Sequence, residues 1–261
     1  MRPPYAPFAL ALGLAPALAA AEPPPSIDIS KLPGALIEDV VIPVPQEVFL
    51  SLDKLGDQDW SAQIKDSKFD KLGNREQVAL LFGVVVADGF VAVQAEDRDA
   101  VIDIGRHVSR LAKALGVSDA VTAHAAAIIE AAEDADWDAV RSELDRVQGS
   151  VRAKMESMRD EHLAQMVSTG GWLRGTEAAA AVVSGAYSKE RSEILHQPDL
   201  AKHIARHLSD EGKSALAKSL ARGLGEISPL LSLEGGVPEY GVQKIHKVSS
   251  ELVQNIIENS K

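Results

Sequence analysis

Cysteine is absent from the 261 residues. Disulfides, thiolate metal sites, cysteine nucleophiles and a lipid-modified N-terminal cysteine are therefore excluded. Aromatic residues make up only 4% of the chain, against 46% hydrophobic residues overall, so the core must be built mostly from Ala, Val, Leu and Ile. Positive charge is in deficit: 27 Lys and Arg stand against 38 Asp and Glu, a formal net charge of −11. A surface of that sign repels phosphate backbones and anionic headgroups, which argues against nucleic acid as a partner. Glycine-rich phosphate loops, a G-x-S-x-G elbow and an H-E-x-x-H pair are all missing.

What is present begins with an address. Met1-Arg2 forms a short positive end, Phe8–Ala21 is apolar and rich in Ala and Leu, and Ala17-Leu18-Ala19 and Ala19-Ala20-Ala21 are small-x-small cleavage sites. The apolar stretch is shorter than the ~20 residues of a bilayer span, and Pro7 and Pro16 weaken it as a helix. Residues 1–21 are thus expected to be a cleaved signal peptide, leaving no transmembrane span in the mature chain. The remainder is expected to be periplasmic or secreted.

Residues 22–45 read as a Pro-rich linker and extended arm. Glu22-Pro23-Pro24-Pro25 has polyproline character, and Pro43 and Pro45 punctuate the apolar pairs that follow. From 46 to 261 nearly every segment has helical spacing. Asn74 with Gln77 forms a capping box ahead of a helix over 75–95, whose body Val78–Val93 is the most apolar run. Val101, Ile104, Val108, Leu111 and Leu115 make one stripe, ended by Gly116. Ser118 is expected to cap a helix to Ala131, and Asp136 a long one to about Val167. Gly170-Gly171 then reads as a break before an Ala-rich helix, Trp172–Ala186. Ser188, Pro198 and Lys213 begin shorter helices, the last running to about Leu224. Val242, Ile245, Val248, Leu252 and Ile256 stripe a final helix, Glu239–Glu258. A tetratricopeptide-like turn at Ala131–Leu144 has no second copy ~34 residues away, so a solenoid is not supported. The expectation is all-α: a single irregular bundle of about nine or ten helices behind an extended N-terminal arm.

Asp88 is the most informative single residue. On a helix it shares its meridian with Leu81, Val84, Ala92 and Ala95, so it is expected to be buried, and a buried carboxylate must be paired or protonated. Arg174 and Arg106 are the candidate partners. With Glu177 three residues beyond Arg174, a polar core of Asp88, Arg174 and Glu177 is the structural expectation; a functional carboxylate in a cleft is the sharper alternative. His203 and His207 stand at i and i+4, a chelating spacing, and His196 joins them only if the chain folds back at Pro198. These three are weak metal candidates, and no metal or other cofactor is expected. Asp134, Asp136 and Asp138 open like a calcium loop, but Ala139 occupies the position where the sharp turn needs glycine.

No catalytic constellation emerges, so catalytic residues are unassigned. The functional expectation is an exported non-catalytic helical binding or scaffold protein of the bacterial cell envelope, with a protein partner there. The alternatives are a metal-binding protein using His203 and His207, and an enzyme with a helical active site near Asp88 and Arg174.

Overall fold

The computed structural model describes residues 35–37, 40–42, 50–56, 58–65, 69, 71–210, 212 and 214–258. Residues 1–21, expected to be a signal peptide, and most of the expected Pro-rich arm lie outside the described residues. Within them the protein is an all-α bundle. From Arg75 onward the described residues form nine α-helices: α1 (Arg75–Gln94), α2 (Arg98–Leu115), α3 (Ser118–Glu133), α4 (Trp137–Ser157), α5 (Glu161–Gly185), α6 (Lys189–Ser192), α7 (Pro198–Asp210), α8 (Ala215–Leu231) and α9 (Glu239–Glu258). Short 3₁₀ turns lie at Ser61–Gln63 and Glu193–Leu195.

The helices start and stop where local chemistry directs. Asn74 accepts from the backbone N–H of Gln77, while the Gln77 side chain accepts from that of Asn74, so both orphan donors at the start of α1 are satisfied. Asp97 caps α2, and Gly116 ends it in the left-handed conformation at φ 79°. Ser188 and Ser214 cap α6 and α8.

Several expected boundaries are corrected. Ser118 lies inside α3, behind an N-cap at Val117 that makes no side-chain bond. The helix begun at Asp136 ends at Ser157, where Arg159 turns the chain at φ 53°. Gly170-Gly171 is no break: α5 runs unbroken from Glu161 to Gly185. The pair lies where α5 crosses α1, and glycine is needed there for close approach rather than for bending. α8 passes Gly225 and Pro229 to reach Leu231, because Leu220, Leu224, Ile227 and Leu231 continue one buried face.

The arm also differs from the expectation of no strands. Ala35–Ile37 (β1) and Val40–Ile42 (β2) pair antiparallel, with Leu36 opposite Val41, and β2 lies beside α7. Three-residue strands are too short to display an alternating pattern. Pro43 and Pro45 fall beyond the paired residues, so neither removes a ladder donor.

α1 is the centre of the bundle, packed along α5 and α2 and touching α4 and α9; α9 in turn lies against α5 and α8. Among the described residues it is the one helix long and apolar enough to cross a membrane. Its most apolar window has mean hydropathy 1.8 and is 78% buried inside the bundle. Apolar side chains surround its axis because neighbours cover it on every side. That central position carries Asp88 into the interior.

Candidate functional site

Four polar constellations stand out. The first is internal. Asp88 is 0% exposed, Arg174 1% and Glu177 2%. Arg174 Nε donates to Asp88 Oδ1 at 2.7 Å, and its Nη2 donates to the backbone carbonyl of Gln63. Arg174 Nη1 lies 3.6 Å from Glu177 Oε2, an ion pair rather than a hydrogen bond. Lys65 Nζ pairs with Glu177 Oε1 and reaches Ser250 Oγ at 3.5 Å. Two acids and two bases thus balance. They join α1, α5 and α9 to the segment carrying Gln63 and Lys65. Arg106, the other candidate partner of Asp88, does not reach it. It is exposed on α2 and pairs with Asp103 three residues before it. Lys65 and the Gln63 carbonyl carry no sequence signal, being a surface-type residue and a backbone atom at the end of a short 3₁₀ turn.

The second constellation is a groove between α5 and α7. Gln165, Ser168, Thr169 and Trp172 line one wall, and Leu200, His203, Ile204 and His207 the other. Its enclosed volume is about 20 Å³, enough for a water molecule but not an organic ligand. The His162 ring lies against that of His207 with centroids 5.5 Å apart. His196 sits outside the groove, in the turn before α7, with its Nδ1 buried and without a hydrogen-bond partner. Among the described residues no three His, Asp or Glu side chains are gathered as a metal site. Tag-free protein is therefore expected to carry no stoichiometric zinc, and added zinc to leave its melting temperature nearly unchanged. One equivalent of zinc, lost on His203→Ala, would overturn this.

The acidic run before α4 is a helix start. Asp136 Oδ1 accepts from the N–H of Ala139, and Asp138 lies in the first turn, where negative charge suits the helix dipole.

The third constellation, between α3 and α4, is one the sequence reading missed. His124 Nδ1 lies 2.9 Å from Glu143 Oε2, and His124 Nε2 lies 3.1 Å from Ser150 Oγ. Arg146 pairs with the other oxygen of Glu143. The hydrogen bond with His124 holds the Glu143 carboxyl below the usual carboxylate range. Partial burial pushes it upward, and the Arg146 guanidinium lowers it further. An ionised carboxylate only accepts, so Nδ1 must carry a proton. In the neutral ring, Nε2 then accepts from the Ser150 hydroxyl. The one trace in the sequence is the spacing Glu143, Arg146, Ser150, one helix face; His124 lies on another helix, and nothing local couples it to them.

Stability should follow the ionised Glu143. Its folded pKa is lowered, so its contribution is fully present above the ordinary glutamate value of about 4.3 and is lost as pH falls through the lower folded value. The melting-temperature advantage of wild type over Glu143→Gln is expected to hold at neutral pH and vanish in acid. An advantage unchanged in acid would show that the charge is not its source.

The fourth constellation is an open cleft of about 500 Å³, lined by Gln58, Asp59, Trp60, Ser61, Gln94, Glu96 and Arg141 among others. Gln94 Nε2 donates to Asp53 Oδ1 at 2.9 Å, and Arg141 Nη2 to Gln94 Oε1 at 3.4 Å. Arg141 also lies 3.8 Å from Asp138 and 4.0 Å from Asp53. The cleft lies at the end of α1, where Gln94 closes the helix and Glu96 turns the chain at φ 53°, against Gly56 and residues 58–61. It offers amide, carboxylate and guanidinium groups together, and no histidine lines it.

Compared with known proteins, the chain matches no family model, no curated protein and no solved structure.

Proposed function

We propose that the chain is an exported, non-catalytic helical binding or scaffold protein of the bacterial cell envelope, and that the cleft beside Arg141 receives its protein partner. The cleft is the observation that carries this reading. At about 500 Å³ it has room for a short peptide segment, and two glutamines, two carboxylates and one guanidinium can both donate to and accept from peptide groups. No nucleophile–base pair lines it, which favours binding over chemistry. The buried charges support the same reading. Inside the bundle Asp88 is hydrogen-bonded to Arg174, and Glu177 is ion-paired with Arg174 and Lys65. None of Asp88, Arg174 and Glu177 lines the cleft or the His-lined groove. The N-terminal signal pattern supplies the compartment.

The test places a photo-crosslinking residue at Glu96 in the full-length gene and fractionates the cells. The expected product is an envelope-fraction protein shortened by the signal segment, with one dominant crosslinked partner that Arg141→Glu abolishes. Full-length protein in the cytosol would remove the localisation. Crosslinks that ignore Arg141→Glu would remove the cleft.

A further inference from the structure

Five serines in or at the end of helices turn inward to their own helix. Ser109, Ser168, Ser209, Ser232 and Ser249 each donate to the carbonyl oxygen four residues earlier, the usual way a helical hydroxyl is satisfied. Ser150 on α4 instead faces the ring of His124 across the α3–α4 contact, at 3.1 Å. The opposite ring nitrogen is fixed by Glu143 at 2.9 Å. A hydroxyl, a base within hydrogen-bond reach and a carboxylate orienting that base are the parts of an activated nucleophile. All three side chains are partly exposed, and at the neighbouring Gly149 an added Cβ would meet nothing within 4 Å. The hydroxyl therefore lies beside open surface rather than in the core.

Two cations flank it, each paired with a carboxylate. Arg146 and Lys154 stand four residues before and after Ser150, one turn to either side on the same face of α4. Arg146 is largely exposed while pairing with Glu143, and Lys154 lies 3.9 Å from Asp119. Each cation keeps donors beyond those its carboxylate engages, so an anionic group approaching Ser150 can share them.

We propose that Ser150 is a nucleophilic acyl-acceptor site that takes an acyl group from a small anionic activated donor of the acyl phosphate class. Ser150 Oγ attacks the carbonyl carbon and its proton passes to His124 Nε2. The carbon–oxygen bond to phosphate breaks, and the phosphate leaves with the electron pair and later takes the proton. The products are a serine ester and inorganic phosphate. Glu143 is a positioning residue that sets the tautomer of His124. The peptide N–H groups around Ser150 are engaged in the hydrogen bonds of α4, so no pair of amides is free to stabilise an oxyanion. Acylation and hydrolysis both lack that help. Phosphate is a far better leaving group than the serine alkoxide, so acylation proceeds while the ester persists, and the outcome is a lasting modification rather than turnover. This goes beyond the binding role and does not depend on it.

The test incubates the full chain with acetyl phosphate and, separately, with the neutral donor 4-nitrophenyl acetate, and maps acetylated peptides by mass. Ser150 is expected to acquire an acetyl ester faster than the exposed serines Ser109 and Ser209 of the same molecule. This comparison needs no variant. His124→Gln should slow the reaction at least about 100-fold, and Glu143→Gln should slow it less, with Glu143→Asp restoring part of the rate. Arg146→Gln and Lys154→Gln should slow transfer from acetyl phosphate alone. Ser150 reacting no faster than Ser109 would overturn the proposal. So would an adduct on His124 instead, or an unchanged rate in a folded His124→Gln protein. Charge variants that affect both donors equally would overturn the choice of an anionic donor.

Discussion

Gly170→Ala is expected to destabilise the protein by about 3 kcal/mol or more, the upper end of the usual over-packing cost. The substitution is informative because helix propensity points the other way. Alanine in a helix interior is favoured over glycine by up to about 1 kcal/mol. At Gly170, however, an added Cβ would lie 2.9 Å from the carbonyl carbon of Leu80 and 3.2 Å from its Cα, and closer still to its oxygen. These are backbone atoms of α1, which cannot swing aside as a side chain would, so α1 and α5 must separate. The same contact from the other side involves Gly83, whose added Cβ would sit 2.6 Å from the backbone nitrogen of Gly171. Separation would loosen the interface that buries Leu80, Leu81, Val84 and Leu173. Gly175→Ala is the control. It lies in the same helix with nothing within 4 Å of its added Cβ, so propensity alone should act and the protein should gain a few tenths to about 1 kcal/mol. Urea unfolding of the three proteins decides the matter. If Gly170→Ala were as stable as Gly175→Ala, the close crossing of α1 and α5 would be wrong.

Asp88→Ala and Arg174→Ala are each expected to cost roughly 3–5 kcal/mol, the range for removing one partner of a buried ion pair. The reason is what remains. Arg174 without Asp88 keeps its guanidinium at 1% exposure with a single carboxylate, Glu177, 3.6 Å away. Asp88 without Arg174 keeps its carboxylate at 0% exposure without the guanidinium that neutralised it, and protonation would relieve only part of the cost. The double variant should cost less than the sum of the singles, because the second change removes a charge already stranded by the first. Arg174 also holds the Gln63 carbonyl, so Arg174→Ala should loosen the 58–65 segment as well, seen as faster amide exchange there. Strictly additive effects in denaturant unfolding would show that Asp88 and Arg174 do not act as a pair.

Much of the architecture was legible because helix signals are local. The cap at Asn74, the start at Ser188, the stop at Gly116 and the stripe of the last helix each lie within a few residues of the element they define. The even apolar coating of α1 announced an interior helix, and with it an interior Asp88. Reading failed where one residue type serves two purposes. Gly170-Gly171 has the composition of a turn but the role of a packing surface, and only the approach of α1 distinguishes them. Arg159, by contrast, turns the chain where no glycine marks the spot.

Composition and period alone determined an all-α, cysteine-free, acidic chain whose cores must be small-aliphatic, since these properties are sums or short-range correlations along the sequence. Which arginine meets Asp88 was beyond their reach: Arg106 and Arg174 differ in that choice only through how α2 and α5 pack on α1, 86 residues separating the pair that forms. The meeting of His124 with Glu143 and Ser150 is likewise a product of two helices laid side by side, 19 and 26 residues apart along the chain. Hydrogen bonds act over about 3 Å in space, whereas sequence patterns report only neighbours one or two helical turns away, so pairings between helices are decided by tertiary packing.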